Sequence, residues 1–224
     1  MSLILNIDTA VNKASVCLAR NGKLVEHAEN EEQKDHAAWL HVAIKKLFQI
    51  KNLSLSDLDA VAVSIGPGSY TGLRVGLSAA KGFCFSLNIP LLAVGTLEIM
   101  ANAARGESVE LLCPMIDARR HEVFTAVFDK EMKIIMPPQA MIVSENSFDS
   151  FLLNHQVLFF GNGSEKVKPV IQHKNASFKK ITNTASSLAY LSTELMKKKQ
   201  FDDMAYIEPL YIKEFYTNFH LPLI

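Results

Sequence analysis

Leu5-Asn6-Ile7-Asp8-Thr9-Ala10 lies near the start of the chain, where an apolar run is ended by an acidic residue. The run is almost continuous from Leu3, which is typical of a strand buried on both faces. We interpret residues 14–20 and 23–28 as two further strands, because Asn21-Gly22 between them favours the positive φ angles of a type I′ hairpin turn. The chain is therefore predicted to begin with a buried strand beside an antiparallel hairpin.

The same pattern recurs in the second half of the chain. Pro114-Met115-Ile116-Asp117-Ala118 again ends an apolar run in Ile-Asp, and residues 122–129 follow as a returning apolar segment. Two such units indicate two α/β lobes of related architecture, each built on three extended segments. A length of 224 residues, against ~150 for an average domain, admits two small lobes. We place the lobes at 1–104 and 105–213 and treat 214–224 as a tail.

Two helices are predicted in the first lobe. From about Asp35 to Ile50, apolar residues recur with helical spacing over an arc wider than the ~100° that one core-facing side needs. A second helix, to about Leu87, follows Gly66-Pro67-Gly68-Ser69-Tyr70-Thr71-Gly72 and carries small residues along one side. Because an interior glycine costs roughly 1 kcal/mol relative to alanine, we expect another backbone to approach this side closely.

The second lobe is less regular. Residues 132–143 are predicted to be extended but interrupted by Pro137-Pro138. Residues 147–154, 164–172 and 185–199 are predicted to be helical.

Composition and charge exclude several classes of protein. Basic and acidic residues number 23 each, so the net charge is zero, whereas a nucleic-acid-binding protein needs a basic excess. The charge is uneven, with −3 on residues 1–150 and +3 on residues 151–224. No apolar run reaches the ~18 residues of a membrane span, and Cys17, Cys84 and Cys113 are too widely spaced for a disulfide framework or a metal-ligand pair. We expect a cytoplasmic protein with reduced core cysteines that does not bind membranes or hold nucleic acid by itself.

The glycine-rich segment 66–72 is the sharpest local signal. Glycines allow a tight turn, and exposed amides at a helix N-terminus attract anions. The spacing fits neither a Walker A loop nor a dinucleotide-binding fingerprint, so a purely structural turn is the alternative to an anion site. The candidate anion-binding residues of this segment are Gly66, Gly68, Ser69 and Thr71.

Other polar groups allow two interpretations each. Asp8, followed by Thr9, ends the first strand, where a carboxylate either holds a hydrated cation near a phosphate or caps nearby amides. His36 and His41 lie about 140° apart around a helix, which favours surface or interface positions over a zinc pair. The run from Asp117 to Glu122 is either a functional site or a salt-bridged structural turn.

Several segments of the chain together resemble the bacterial TsaB (YeaZ-type) family. They occur in the same order over most of the chain, and the Gly-Pro-Gly segment is the most specific of them. The matching segments are Ile4-Leu5-Asn6-Ile7-Asp8-Thr9-Ala10, Gly66-Pro67-Gly68-Ser69-Tyr70-Thr71-Gly72-Leu73-Arg74-Val75-Gly76, Val94-Gly95-Thr96-Leu97-Glu98, Ile116-Asp117-Ala118-Arg119-Arg120 and Glu208-Pro209-Leu210-Tyr211.

The resemblance implies an α/β fold of the actin-like and Hsp70-like ATPase (ASKHA) type, with two RNase H-like lobes and mixed sheets. It also implies a role in forming N6-threonylcarbamoyladenosine next to the anticodon of tRNAs that read codons starting with A. In this family the paralogous TsaD subunit performs the transfer, and TsaB-type proteins are its non-catalytic scaffold or activator, joined by the ATPase TsaE.

The resemblance also implies a homodimer when TsaD is absent, with tRNA bound only through the complex. No cofactor of the chain itself is implied, although ATP or ADP with magnesium is compatible with the interface of the complex. Asp8, Thr9 and the Gly66–Thr71 turn then become vestigial nucleotide-binding elements.

The resemblance further implies that this chain lacks the metal site of its catalytic paralogue. The two histidines of that site correspond to Thr96 and Met100. A hydroxyl and a thioether cannot replace two imidazoles around iron or zinc. We therefore assign no catalytic residue and no metal ligand, and we expect no activity of the chain alone.

A partner interface on the two first-lobe helices is also implied, either for TsaD or for a second copy of the chain. The wide apolar arc and the small-residue side fit this implication, and burial of both helices in the chain's own core is the alternative. The residues assigned to the interface are His36, Trp39, Leu40, Ala43, Leu47, Gly72, Val75, Gly76, Ala79, Gly82 and Phe83.

A rival function is a free-standing ATPase or small-molecule kinase of the same fold. It needs a second phosphate-binding loop with a catalytic carboxylate. The second-lobe candidates are Asp117 and the turn Gly161-Asn162-Gly163.

Overall fold

The computed structural model describes residues 2–11, 13–30 and 36–213, so the predicted tail at 214–224 lies outside the described residues. The strands are β1 (Leu3–Asp8), β2 (Ser15–Arg20), β3 (Lys23–Glu29), β4 (Ala60–Gly66), β5 (Leu91–Gly95), β6 (Leu111–Asp117), β7 (Glu122–Asp129), β8 (Ile134–Ile142), β9 (Val157–Phe160) and β10 (Ala176–Phe178). The helices are α1 (His36–Lys51), α2 (Tyr70–Leu87), α3 (Thr96–Ala103), α4 (Asp149–Leu152), α5 (Ser164–Val167) and α6 (Ala185–Lys197), with a short 3₁₀ helix at Leu55–Asp57. None of these helices combines the length and apolar character needed to cross a lipid bilayer.

The strands form two five-stranded sheets with the same topology. The first has the order β3-β2-β1-β4-β5, in which β1, β2 and β3 are antiparallel and β4 and β5 run parallel to β1. The second repeats this arrangement as β8-β7-β6-β9-β10. The duplication predicted from the two Ile-Asp strand ends, with a mixed sheet in each lobe, is confirmed.

The first sheet is covered on both faces, which explains the continuous apolar run of β1. Leu5 and its same-face neighbours pack against α1 and α2, whereas Ile4 packs against α6. The one polar residue within the run, Asn6, is fully buried, and its Oδ1 accepts a hydrogen bond from Ser192 Oγ of α6 at 2.7 Å. A buried amide is tolerated here because it is paired.

Helix α3 lies between the two sheets and joins the lobes. Its residues Leu97 and Met100 pack with Leu112 and Phe160 of the second sheet, while Ile99 packs into the core of the first sheet. Because the helix is apolar on two opposite sides, most of it is buried and only a narrow side, with Glu98 and Asn102, is partly exposed. The lobes are therefore coupled through a shared apolar layer.

The end of the described chain returns to the first lobe. Helix α6 packs against β1 and β2, and the C-terminal segment (residues 200–213) continues along the same lobe. Asp202 Oδ2 accepts from the Ala93 amide at 2.7 Å, and the Leu210 amide donates to the Ile65 carbonyl at 2.6 Å. The two sheets lie within the predicted ranges 1–104 and 105–213, but α6 and the C-terminal segment cover the first sheet. Periodicity indicates which residues of α6 are apolar, but not which sheet they cover.

The local predictions for the second lobe are met only in part. Strand β8 is one edge strand, but its pairing with β7 shifts register between Met136 and Gln139, so the interruption predicted at Pro137-Pro138 is an irregularity within the strand. The helices expected at 147–154 and 164–172 are only α4 and α5, of four residues each. Strand β10, of three residues, was not predicted, and its length is too short to give a periodic signal.

The small-residue side of α2 packs against the chain itself. A Cβ at Gly72 would overlap the Thr9 carbonyl oxygen, and a Cβ at Gly76 would overlap Thr9 Oγ1, which donates to the Gly72 carbonyl at 2.7 Å. The predicted close approach is thus made by the β1–β2 loop. Gly82 differs, because a Cβ there would meet no atom within 4 Å.

We expect Gly76→Ala and Gly82→Ala to change stability in opposite directions. Both replacements gain up to about 1 kcal/mol of helix propensity. At Gly76 the clash with Thr9 outweighs this gain and destabilises the chain by about 1–3 kcal/mol, whereas at Gly82 the gain remains. Urea unfolding of the isolated chain, followed by circular dichroism, measures both. Equal effects at the two positions would contradict the packing of Thr9 against α2.

Candidate functional site

A cleft of about 660 Å³ lies between the two lobes. The first lobe contributes the loop after β1 and the N-terminal turn of α2, and the second lobe contributes the β6–β7 turn. The residues of the cleft that bear on its chemistry are His36, Ser69, Thr71, Asp117, Arg119, Arg120 and Lys213. Its size is that of a small-molecule site.

Asp8 does not face this cleft as a free carboxylate. The residue is fully buried, and its Oδ1 accepts hydrogen bonds from Ser64 Oγ at 2.8 Å and from the Ala10 amide at 3.1 Å. Its Oδ2 accepts from Asn183 Nδ2 at 3.3 Å. Desolvation raises the pKa of Asp8 above its ordinary value of 3.8, and these hydrogen bonds only partly offset that rise. The structural interpretation, a carboxylate that caps nearby donors, is the one that this geometry supports.

Two backbone amides of the glycine-rich turn, those of Ser69 and Gly72, are paired within the chain. The Ser69 amide donates to the Ala10 carbonyl at 2.7 Å, and a Cβ at Gly68 would overlap that carbonyl oxygen. Ser69 Oγ accepts from the Gly72 amide at 3.2 Å and caps α2. Of the predicted anion-binding set, only the hydroxyl-bearing Ser69 and Thr71 are exposed at the cleft.

Gly66 lies beneath the C-terminal segment. Its φ of +120° is open to glycine alone, and a Cβ there would lie 2.6 Å from the Leu210 carbonyl oxygen. This glycine is required because the backbone of the C-terminal segment passes directly over it. The turn is held between the β1–β2 loop on one side and the C-terminal segment on the other.

The C-terminal segment bridges the two lobes at the edge of the cleft. The Tyr211 ring packs against Tyr70 with centroids 5.2 Å apart, and Arg74 Nε donates to the Tyr211 hydroxyl at 3.0 Å. Lys213 then forms an ion pair with Glu122 of the second lobe. Sequence reasoning missed these contacts, since Arg74 and Tyr211 are 137 residues apart and carry no local pattern.

The charged turn between β6 and β7 lies on the opposite wall. Asp117 accepts from the Arg119 amide at 2.6 Å and pairs with Lys166, a residue that sequence analysis did not single out. Partial desolvation acts to raise the pKa of Asp117, but the Lys166 ammonium and the Arg119 amide outweigh it and hold that pKa below the ordinary value. Arg119, Arg120 and His121 all have positive φ angles. The salt-bridged interpretation of the turn is confirmed, and the turn also lines the cleft.

Thr96 and Met100, which the resemblance matches to the paralogue's two histidines, are buried in α3. Thr96 Oγ1 has no hydrogen-bond partner among the described residues. Glu98, between them, is partly exposed, and desolvation raises the pKa of its carboxyl. Within residues 2–11, 13–30 and 36–213, no three His, Cys, Asp or Glu side chains are grouped so that they could hold a metal ion.

The cysteines are buried single thiols. Burial raises the pKa of Cys17 and Cys113 to about 12 and that of Cys84 to about 11. Thiols with such values form little thiolate at neutral pH and are poor nucleophiles.

Most residues predicted for the partner interface are buried within the chain. The buried members are Leu40, Ala43, Leu47, Gly72, Gly76 and Ala79. The partly or fully exposed members are His36, Trp39, Val75, Gly82 and Phe83. The apolar arc of α1 was wide because it covers the chain's own sheet, and apolar periodicity cannot distinguish that role from a contact with a partner.

Ala43 in particular lies in the core of the chain and is not open to a partner. Ala43 is only 4% exposed, so Ala43→Glu places a charge in the first-lobe core and cannot leave the monomer intact. The exposed apolar surface of the two helices comes instead from Val42 (53% exposed), Ile50 (66%) and Phe85 (79%).

We expect Asp8→Asn to change how stability depends on pH. The native pKa of Asp8 lies above 3.8, so its carboxyl contributes stability that is fully present below pH about 3.8 and is lost as pH rises through the native pKa. Asparagine stays neutral, so the variant gains stability relative to the parent as pH increases through that window. Thermal unfolding of both proteins from pH about 4 to 8 measures this.

The matched control for Asp8→Asn is Asp149→Asn, which removes an exposed carboxylate of the second lobe. A stability difference between Asp8→Asn and the parent that stays constant over this pH range would show that the native pKa of Asp8 is not raised.

Two lobes of identical topology, facing each other across a cleft and sharing a central helix, define an actin-like and Hsp70-like ATPase (ASKHA) fold. The structure aligns with a Pseudomonas aeruginosa protein described as similar to the peptidase YeaZ, with a TM-score of 0.85 and 25% identity over 95% of this chain and 100% of that one. It shares its fold with the activator of 2-hydroxyisocaproyl-CoA dehydratase from Clostridium difficile, which was solved with ADPNP, at a TM-score of 0.53 and 9% identity over 88% and 97% of the two chains.

The family follows from the sequence comparison. The family model for TsaD, tRNA N6-adenosine threonylcarbamoyltransferase, matches residues 24–215. The chain is 29% identical over 220 residues to the tRNA threonylcarbamoyladenosine biosynthesis protein TsaB of Bacillus subtilis. The aligned residues make up 94% of this chain and 93% of that protein. The chain belongs to the TsaB/YeaZ family, a group of TsaD-domain proteins, and the resemblance noted from its segments is confirmed.

Proposed function

We propose that this chain is a non-catalytic scaffold or activator subunit of a TsaD-containing complex. That complex forms N6-threonylcarbamoyladenosine next to the anticodon of tRNAs that read codons starting with A. The observation that carries the proposal is the similarity over 94% of the chain to a TsaB protein named for threonylcarbamoyladenosine biosynthesis.

The non-catalytic part of the proposal is supported by the first lobe. The carboxylate at the end of β1 is fully buried and accepts three hydrogen bonds from the chain itself. The Ser69 amide is already paired with the Ala10 carbonyl. A phosphate or hydrated magnesium ion would have to displace these contacts, at a cost of about 1–3 kcal/mol for each buried group left unpaired.

The expected partners are the TsaD paralogue, a TsaE-type ATPase and, without TsaD, a second copy of the chain. We propose that the partner contacts the exposed side of α1 and α2, where Val42, Gly82 and Phe85 lie. Exposed apolar residues on helices are typical of interaction surfaces, and an open glycine lets a partner approach the backbone.

Under this proposal tRNA contacts the chain only within the complex, which acts in the cytoplasm. Any ATP or ADP with magnesium binds at the interface between subunits.

The rival function, a free-standing ATPase or kinase, finds little support in the loops that it needs. The Gly163 amide donates to the Met115 carbonyl at 3.0 Å, and Asn162 Oδ1 accepts from the Asp117 amide at 3.0 Å. The second-lobe candidate loop is therefore also engaged by its own chain, as the first-lobe loop is. Turnover of ATP by the isolated chain would favour the rival.

Omission of the chain from a reconstituted reaction tests the proposal. We expect threonylcarbamoyladenosine formation by TsaD, TsaE and tRNA to fall by at least tenfold without this chain and to be restored on adding it. Mass spectrometry of nucleosides from digested tRNA measures the product. Unchanged modification in the absence of the chain would contradict the proposed function.

We expect Phe85→Glu to weaken association with TsaD, or with a second copy, while leaving the monomer folded. Phe85 is 79% exposed, so its loss costs the monomer little, whereas an interface loses about 2 kcal/mol or more of apolar burial, at least tenfold in Kd. Light scattering coupled to size exclusion and calorimetric titration with TsaD measure the two associations.

The control for Phe85→Glu is Leu153→Glu, which introduces the same charge at a residue of the second lobe that is 70% exposed. We expect it to bind as the parent does. Equal affinities of Phe85→Glu and the parent for TsaD, or equal losses for both variants, would place the interface elsewhere.

A further inference from the structure

An apolar surface is exposed at the edge of the second sheet that β8 forms. Alternate residues of β7, together with the β8 residues paired to them, lie on the same side of the sheet. On the side that carries Phe124, the β8 residues include two exposed isoleucines, Ile134 (52%) and Ile142 (66%). We call this set the β8 strip: Phe124, Ile134, Ala140 and Ile142.

The β8 strip is the uncovered margin of a packed layer. On the same side of the sheet, α3 packs over Ile116 of β6 and over Ala126 and Phe128 of β7, all of which are buried. Strand β8 is the outermost strand, and its isoleucines on that side stay exposed. Proteins ordinarily place charged residues on an edge strand, because an exposed apolar edge associates with other chains. The strip is therefore a surface suited to being covered.

The C-terminal segment leads the chain to this strip. Lys213 forms an ion pair with Glu122, and Glu122 is the β7 residue that is paired with Ile142. Paired residues on neighbouring strands have Cα atoms about 5 Å apart. Ile212 lines the same part of the cleft as Phe124. The described chain thus ends one strand away from the most exposed residue of the strip.

The sequence that follows Lys213 has the composition to cover an apolar surface. Residues 214–224, which lie outside the described residues, contain one charged side chain, that of Glu214. Eleven residues can reach about 36 Å, which exceeds the ~30 Å that the nine residues of β8 span. Six of the eleven have large apolar side chains: Phe215, Tyr216, Phe219, Leu221, Leu223 and Ile224.

We propose that residues 214–224 bind to the β8 strip of their own chain. Burial of the two isoleucines against apolar side chains drives the contact. The chain's own tail is favoured over a second copy because Lys213 already holds the start of the tail beside the strip, which makes the binding intramolecular. Since Phe124 belongs to both the strip and the cleft lining, the bound tail forms part of the second-lobe rim of the cleft.

Thermal unfolding of four proteins tests the proposal: the full chain, a chain that ends at Lys213, and Ile142→Thr in each. We expect removal of the tail to lower Tm by about 4–8 °C, and Ile142→Thr to lower the Tm of the full chain by about 2–4 °C, because apolar burial is lost. In the shortened chain Ile142 has no tail to pack against, so Ile142→Thr should change Tm by less than about 1 °C. Threonine keeps the branch at Cβ and with it the strand propensity.

Leu24→Thr is the matched control, because Leu24 lies in β3, an edge strand of the first sheet, and is 49% exposed. We expect it to change Tm equally in the full and the shortened chain. Circular dichroism verifies that every variant is folded. All comparisons are made at two protein concentrations about tenfold apart, because a tail that binds a second copy stabilises more at the higher concentration.

Equal effects of Ile142→Thr in the full and the shortened chain, or an unchanged Tm on removal of the tail, would overturn the proposal. A difference between the two chains that appears only at the higher concentration would also overturn it, because the occupant of the strip is then a second copy. The experiment needs neither TsaD nor tRNA, so its outcome is independent of the function proposed above.

Discussion

The close approach of Thr9 to α2 is the contact on which the first lobe depends. Thr9 occupies the space left by Gly72 and Gly76, and its hydroxyl donates to the Gly72 carbonyl. Next to Thr9, the Ala10 carbonyl accepts a hydrogen bond from the Ser69 amide at 2.7 Å. The contact that orders the lobe therefore also engages one backbone donor of the turn.

The duplicated topology places Asp8 and Asp117 at equivalent positions, and their environments differ. Each is the last residue of the central strand of its sheet. Asp8 is sealed among neutral donors, so burial raises its pKa, whereas Asp117 lies at the cleft beside Lys166 and has a lowered pKa. A repeated backbone thus does not repeat its chemistry, because protonation depends on the neighbours of each carboxyl. Of these two aspartates, it is Asp117 of the second lobe that has a cation, Lys166, beside its carboxylate.

Local patterns in the sequence predict most of the fold and little of the site. Alternation, helical spacing and the Asn21-Gly22 turn are short-range signals, and the strands and long helices that they predict are confirmed. The site is made by contacts between distant residues. Asn183 and Asp8 are 175 residues apart, and Lys213 and Glu122 are 91 apart. The same limit explains α1, whose apolar spacing identified Ala43 as buried but could not say that its own sheet covers it.

Helix α2 relates the proposed partner surface to the cleft. Its first residue, Tyr70, lines the cleft, while the exposed Phe85 is fifteen residues farther along, about 22 Å at 1.5 Å per residue. A partner seated at the Phe85 end therefore need not cover the cleft, and both surfaces can be occupied together. Since Arg74 of the same helix holds Tyr211, whose segment reaches Glu122 through Lys213, a tilt of α2 would be transmitted to the second-lobe wall. Coupling between partner binding and the cleft would then act through the position of α2, because the Ser69 amide at the start of this helix is already paired with the Ala10 carbonyl.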